Sequence, residues 1–172
     1  MAKYRHQRRV AQGWLNPHIG LRQSFLYQGE KMKLAKITVH SVIENLDDSG
    51  IAVDEPEISI TTVTGSLKDD GGILHLAFTE NVEGGSVECH IAIYPDGTVS
   101  LSRRGAIVSD ILFKEGEQCH TIYAIPPYKF DMTVNTRRVR NELSAEGGIL
   151  RLLYSMNVGG QEKTVRMKIT VA

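Results

Sequence analysis

Pro95-Asp96-Gly97-Thr98-Val99-Ser100-Leu101-Ser102-Arg103-Arg104-Gly105 decides how this chain folds. Asp-Gly between alternating segments is the strongest short-range signal for a β-hairpin. From Val99 onward the two-residue period of a strand sends Val99, Leu101 and Arg103 to one side. Ser100, Ser102 and Arg104 go to the other. A cation therefore stands where the pattern calls for another hydrophobe. The rest of the chain reads as wall around it.

Alternation continues in both directions. Upstream, 33–44 places Ala35, Ile37, Val39, Ser41 and Ile43 on one face and Lys36, Thr38, His40 and Glu44 on the other. A loop over 45–56, with one helical turn expected within 47–53, leads to β-branched 57–67. Strands follow at 73–80, 86–94, 97–104, 106–115 and 117–125. Pro126-Pro127 is expected to break the pairing. Further strands cover 128–141, 149–157 and 162–171. A segment beginning Gly71-Gly-Ile-Leu and running through Phe78 to Asn81-Val82 returns 76 residues later as Gly147-Gly-Ile-Leu through Tyr154 to Asn157-Val158. Short strands at regular spacing, with little or no helix, predict an all-β fold. The expected architecture is a single up-and-down antiparallel barrel of about eight to ten strands. Closure is favoured because it removes unpaired edges.

The chain has 172 residues, enough for one domain with a sizeable core, and its 41% hydrophobic and 23% charged residues are those of an ordinary folded protein. Its charge is unevenly spread. Residues 1–31 carry Lys3, Arg5, Arg8, Arg9, Arg22 and Lys31 against Glu30, a net of +5, which leaves −5 on 32–172. Two readings of this extension compete. A basic arm holding Trp14 suits an acidic partner or nucleic acid. Alternatively, Gln28-Gly29-Glu30-Lys31 back-translates to a purine-rich, ribosome-binding-like string before Met32, so translation is expected to start at Met32. The second reading is favoured, and nucleic acid is not an expected partner. Cys89 and Cys119, without a CxxC pair, fit a reducing cytoplasm. No apolar stretch follows the first basic residues, so a secretory signal is not expected, and no apolar run is long enough to span a bilayer as a helix.

Gly97-x-Val-x-Leu-x-Arg103-x-Gly105, Phe113-x-x-Gly116, Tyr123-x-x-Pro126, Thr136, the Gly147–Tyr154 strand and the closing Lys168-Ile169-Thr170 form a recognisable set. On these motifs residues 32–172 resemble the YwiB-like family of small bacterial proteins. The sequence departs at Pro127-Tyr128, where the family places an aromatic residue and a glycine. The resemblance implies a calycin-like, lipocalin-like β-barrel of unknown function, in a domain beginning near Met32.

Small barrels either fill their interior or hold one ligand. The expected inward faces are largely apolar and include Phe78, Phe130 and Met132, with Glu80, Arg103, Thr136, Arg138 and Tyr154 as polar exceptions. A buried lone charge costs several kcal/mol, so Arg103 needs a carboxylate, carbonyls or a bound anion. One reading pairs it internally with Glu80. The other aims it at a ligand carboxylate or phosphate, the recognition arginine performs best. Arg138 has its own alternative, a solvated patch with Arg137 and Arg140. The candidate ligand-binding set is Arg103, Glu80, Thr136, Tyr154, Phe78, Tyr123 and Arg138.

No catalytic motif, metal-ligand spacing or cofactor fingerprint emerges. His40, His75, His90 and His120 read as single, and Cys89 as a packed thiol. The leading expectation is a non-enzymatic barrel taking a small, partly apolar or anionic ligand. The rivals are a filled barrel acting through its outer face or as a homodimer, and an enzyme on a small anionic substrate using Glu80 and Arg103.

Overall fold

The computed structural model describes residues 32–172, so both readings of 1–31 fall outside it. Ten strands follow one another: β1 Met32–Asn45, β2 Glu57–Asp70, β3 Ile73–Val82, β4 Gly85–Ile93, β5 Val99–Gly105, β6 Ser109–Phe113, β7 Gln118–Ile125, β8 Tyr128–Ser144, β9 Gly147–Val158 and β10 Gln161–Val171. They form one antiparallel sheet in the order β6-β5-β4-β3-β2-β1-β10-β9-β8-β7. Its two ends meet through a bridge at Val108 and Ala124, which exchange two backbone hydrogen bonds of 2.9 Å. The result is a nearly closed all-β barrel. Among the described residues no helix is long and apolar enough to cross a membrane.

The quoted turn forms as its residues dictate. Gly97 donates to the Tyr94 carbonyl (3.0 Å), Tyr94 to the Thr98 carbonyl (2.9 Å), and the Asp96 carboxylate accepts from the Thr98 amide. Gly97 takes φ +86°, a conformation that costs a glycine little. β5 thereby enters with Val99 and Leu101 buried, and the core runs across every strand. Phe113 is fully buried and packs its ring 4.8 Å from Tyr154. Removing one such aromatic from water contributes about 1.5–3 kcal/mol.

Four expectations are corrected. Pro126-Pro127 does not break the pairing: it is the turn of the β7–β8 hairpin, cis at the Pro126–Pro127 bond, with Ile125 opposite Tyr128. Phe130, expected inward, is 39% exposed because β8 begins beyond the end of β9, whose Val158 pairs with Met132. Arg138, also expected inward, points out. A bulge between Thr136 and Arg138 adds one residue to β8 and reverses its alternation, so Val139 and Leu143 take over the inner face. The helical turn expected within 47–53 is the fourth: the segment makes a tight turn and no helix, with Gly50 donating to the Asp47 carbonyl and the Asp47 carboxylate accepting from the Ser49 and Ile51 amides.

The wall is not uniformly paired. β2 joins β3 only from Ser66 to Asp70, whereas it joins β1 from Glu57 to Lys68. The ladder stops at Gly65, where a Cβ would stand 2.5 Å from the Ala77 carbonyl oxygen and 2.6 Å from Ile37 Cδ1. Glycine lets the two backbones touch there before they part.

Candidate functional site

Five strand ends, those of β1, β3, β5, β7 and β9, lie at the same end of the barrel, and the side chains below them leave a cavity of about 460 Å³. Its walls are mostly apolar, with Ile43, Val82, Ile111, Met132, Met156 and Val165 among them. Ser41, Ser59 and Thr61 supply hydroxyls on the β1–β2 side. The charged groups are Arg103, Glu80 and Lys163.

β5 brings Arg103 there by simple alternation. Its neighbour Arg104 faces out and forks onto Asp110, 2.9 Å to each oxygen. The Asp110 carboxyl is held below its usual range, first by the Ser102 hydroxyl and then by Arg104. Consecutive arginines thus serve opposite sides of one wall. Among the described residues no carboxylate oxygen lies within 4 Å of the Arg103 guanidinium, so the expected Arg103–Glu80 ion pair is not formed directly. Cys89, opposite Arg103 on β4, sits between the two charges, and its thiol donates to Glu80 Oε2 at 3.7 Å. Burial, then the Glu80 charge, pushes the Cys89 thiol up to about 11 against the opposing pull of Arg103. It is a neutral donor, not a thiolate nucleophile. Burial likewise drives the Tyr154 phenol to about 12, again opposed by Arg103.

Of the expected site residues, Arg103, Glu80, Tyr123 and Tyr154 are brought together on the cavity. Thr136 and Phe78 are buried in the packed barrel and do not line it. Arg138 stands on the outer face, in a groove with Arg140, Arg151 and Lys168. Residues missed by sequence reasoning include Lys163 and the β2 hydroxyls, whose inward phase was legible in their alternation with exposed Ile58 and Ile60. Ser109 was missed too: it pairs with Arg103 across β5–β6, and its hydroxyl is buried without a hydrogen-bond partner in the described structure. Thr136, opposite Tyr154, has the same orphaned hydroxyl. A buried hydroxyl left unsatisfied costs about 1–3 kcal/mol.

His75 and His90, read as isolated, meet on the outer surface with Nδ1 and Nε2 3.2 Å apart. Burial, then His75, lowers the His90 imidazole below its usual value. Among the described residues no three histidine, cysteine or acidic side chains gather as a metal site.

The fold is similar to the crystal structure of the ywiB protein from Bacillus subtilis, with a TM-score of 0.69 and 20% identity over 86% of this chain and 99% of that one. Comparison with curated proteins gives no match. The model of the family described as domain of unknown function DUF1934 matches residues 37–171. The chain belongs to that family.

Proposed function

We propose that this protein is a non-enzymatic binding protein whose open barrel end takes a small, partly apolar anion. The carboxylate or phosphate of the ligand sits on Arg103, and its apolar part lies against Met132, Met156 and Val165. The observation that carries this is a guanidinium facing a cavity of about 460 Å³ with no carboxylate within 4 Å among the described residues. That volume lies in the range of small-molecule sites, which are mostly apolar with a few convergent polar groups. Lys163 adds a second cation, while Glu80, occupied by the Cys89 thiol, offers the ligand a boundary. The barrel is packed below this level by Phe78, Phe113 and Tyr154, so the ligand is short and enters from the open end, in the manner of a calycin-like barrel. Free Cys89 and Cys119 suit a reducing cytoplasm.

Native mass spectrometry of the purified chain tests this. A co-purified anionic adduct is expected in the wild type and lost in Arg103→Ala. An adduct that survives in a cooperatively folded Arg103→Ala protein overturns the assignment of Arg103 as the ligand's clamp.

A further inference from the structure

On the outer face, four basic side chains from four strands stand in one cross-strand row. Arg140 of β8 pairs with Arg151 of β9, Arg151 with Lys168 of β10, and Lys168 with His40 of β1. Neighbouring strands are about 4.8 Å apart, so the row spans about 14 Å. Like charges set directly opposite one another destabilise a sheet, and natural sheets usually alternate their signs. The next row toward the barrel mouth repeats the theme with a gap: Arg138, Leu153, Arg166 and Val42. Leu153 and Val42 are shorter than the arginines beside them, and a groove of about 350 Å³ lies over them.

Carboxylates answer only part of this charge. Glu142 takes Arg151 at 3.1 Å and Glu44 takes Arg166 at 2.7 Å. Arg138, Arg140 and Lys168 have no carboxylate within 4 Å among the described residues. These cations sit on a body whose overall charge is negative, so they concentrate a positive field on one face. Arginines in fixed, adjacent positions suit oxygens carried on linked phosphates, which can bridge charges that otherwise repel. His40 is the one aromatic ring among the described residues that line the groove, which is otherwise cationic and aliphatic, so phosphate contact outweighs base stacking there.

We propose that this row is a binding site for linked phosphate groups, with Arg140, Arg151 and Lys168 as its centre and Arg138 and Arg166 as its flank. The site lies on the opposite side of the wall from the cavity and does not depend on it. Two sources present the same chemistry, a free polyphosphate and the phosphodiester run of a single-stranded nucleic acid.

The test is a titration of the full chain with sodium tripolyphosphate, orthophosphate and octauridylate, followed by calorimetry and by backbone amide shifts. Tripolyphosphate is expected to bind at least ten-fold more tightly than orthophosphate and to shift the amides of β8, β9 and β10 around the row. The Arg140→Gln/Lys168→Gln variant is expected to lose at least ten-fold in that affinity while its melting temperature holds or rises, because the facing charges are relieved. Octauridylate binding more tightly than tripolyphosphate assigns the nucleic-acid source, and the reverse order assigns the compact one; both uphold the site. Orthophosphate binding as well as tripolyphosphate overturns the proposal. So does a folded double variant with unchanged affinity, or shifts confined to the barrel mouth.

Discussion

Arg103 and Arg140 are both arginines on the strands of one barrel, and they live under different physics. Arg103 faces a cavity between apolar walls, where a charge is poorly screened and its worth depends on what is placed against it. Arg140 stands in water among like charges, where each contact is weak and salt-sensitive and strength comes only from number. The inner site therefore selects by shape and one anchored charge. The outer row selects by charge density. A single substitution should silence the first and only blunt the second.

The largest expected effect falls on the packed core beneath the inner site. Phe113→Ala removes a fully buried ring packed on Tyr154, and a change of this kind costs about 3–5 kcal/mol, measurable by urea denaturation. A smaller effect on stability is expected for Arg103→Met. Replacing a partly buried charge with an apolar chain of similar length leaves the fold neutral or firmer, so binding and stability should separate in calorimetry and thermal melts.

Alkaline pH sharpens the contrast from the inside only. The Cys89 thiol and the Tyr154 phenol are raised in the folded state to about 11 and about 12. The unfolded chain therefore loses these protons first, and stability is expected to fall as pH climbs from about 9 toward 12. Cys89→Ala and Tyr154→Phe should each flatten that fall in denaturation curves taken at several pH values. The smallest effect belongs to the outer row. Lys168→Thr, which removes one of the facing charges, should raise stability by about 0.2–1 kcal/mol at low salt and by less at high salt.

Much of this was legible along the chain because one face of each strand is buried and the pattern cannot slip by one residue without inverting it. Asp96-Gly97 gave the hairpin, and Val99, Leu101 and Arg103 gave the inward cation. Arg138 was misplaced because the bulge is a single extra residue. Its trace is present, since the inward apolar phase moves from Met132 and Val134 to Val139 and Leu143. The cross-strand row was not legible. Arg140 and Arg151 are near in sequence, but Lys168 and His40 join them through pairings that only barrel closure sets. The missing Arg103–Glu80 contact was equally beyond pattern, since it depends on where the Cys89 side chain packs between them.

The most direct measurement is calorimetric titration with octanoate and with heptanol, two molecules with the same seven-carbon apolar chain that differ in charge. Octanoate is expected to bind the wild-type chain, Arg103→Met to remove at least ten-fold of that affinity, and heptanol to bind both proteins weakly and alike. Heptanol binding as tightly as octanoate, or octanoate binding unchanged in Arg103→Met, would rule out Arg103 as the anchor of the inner site.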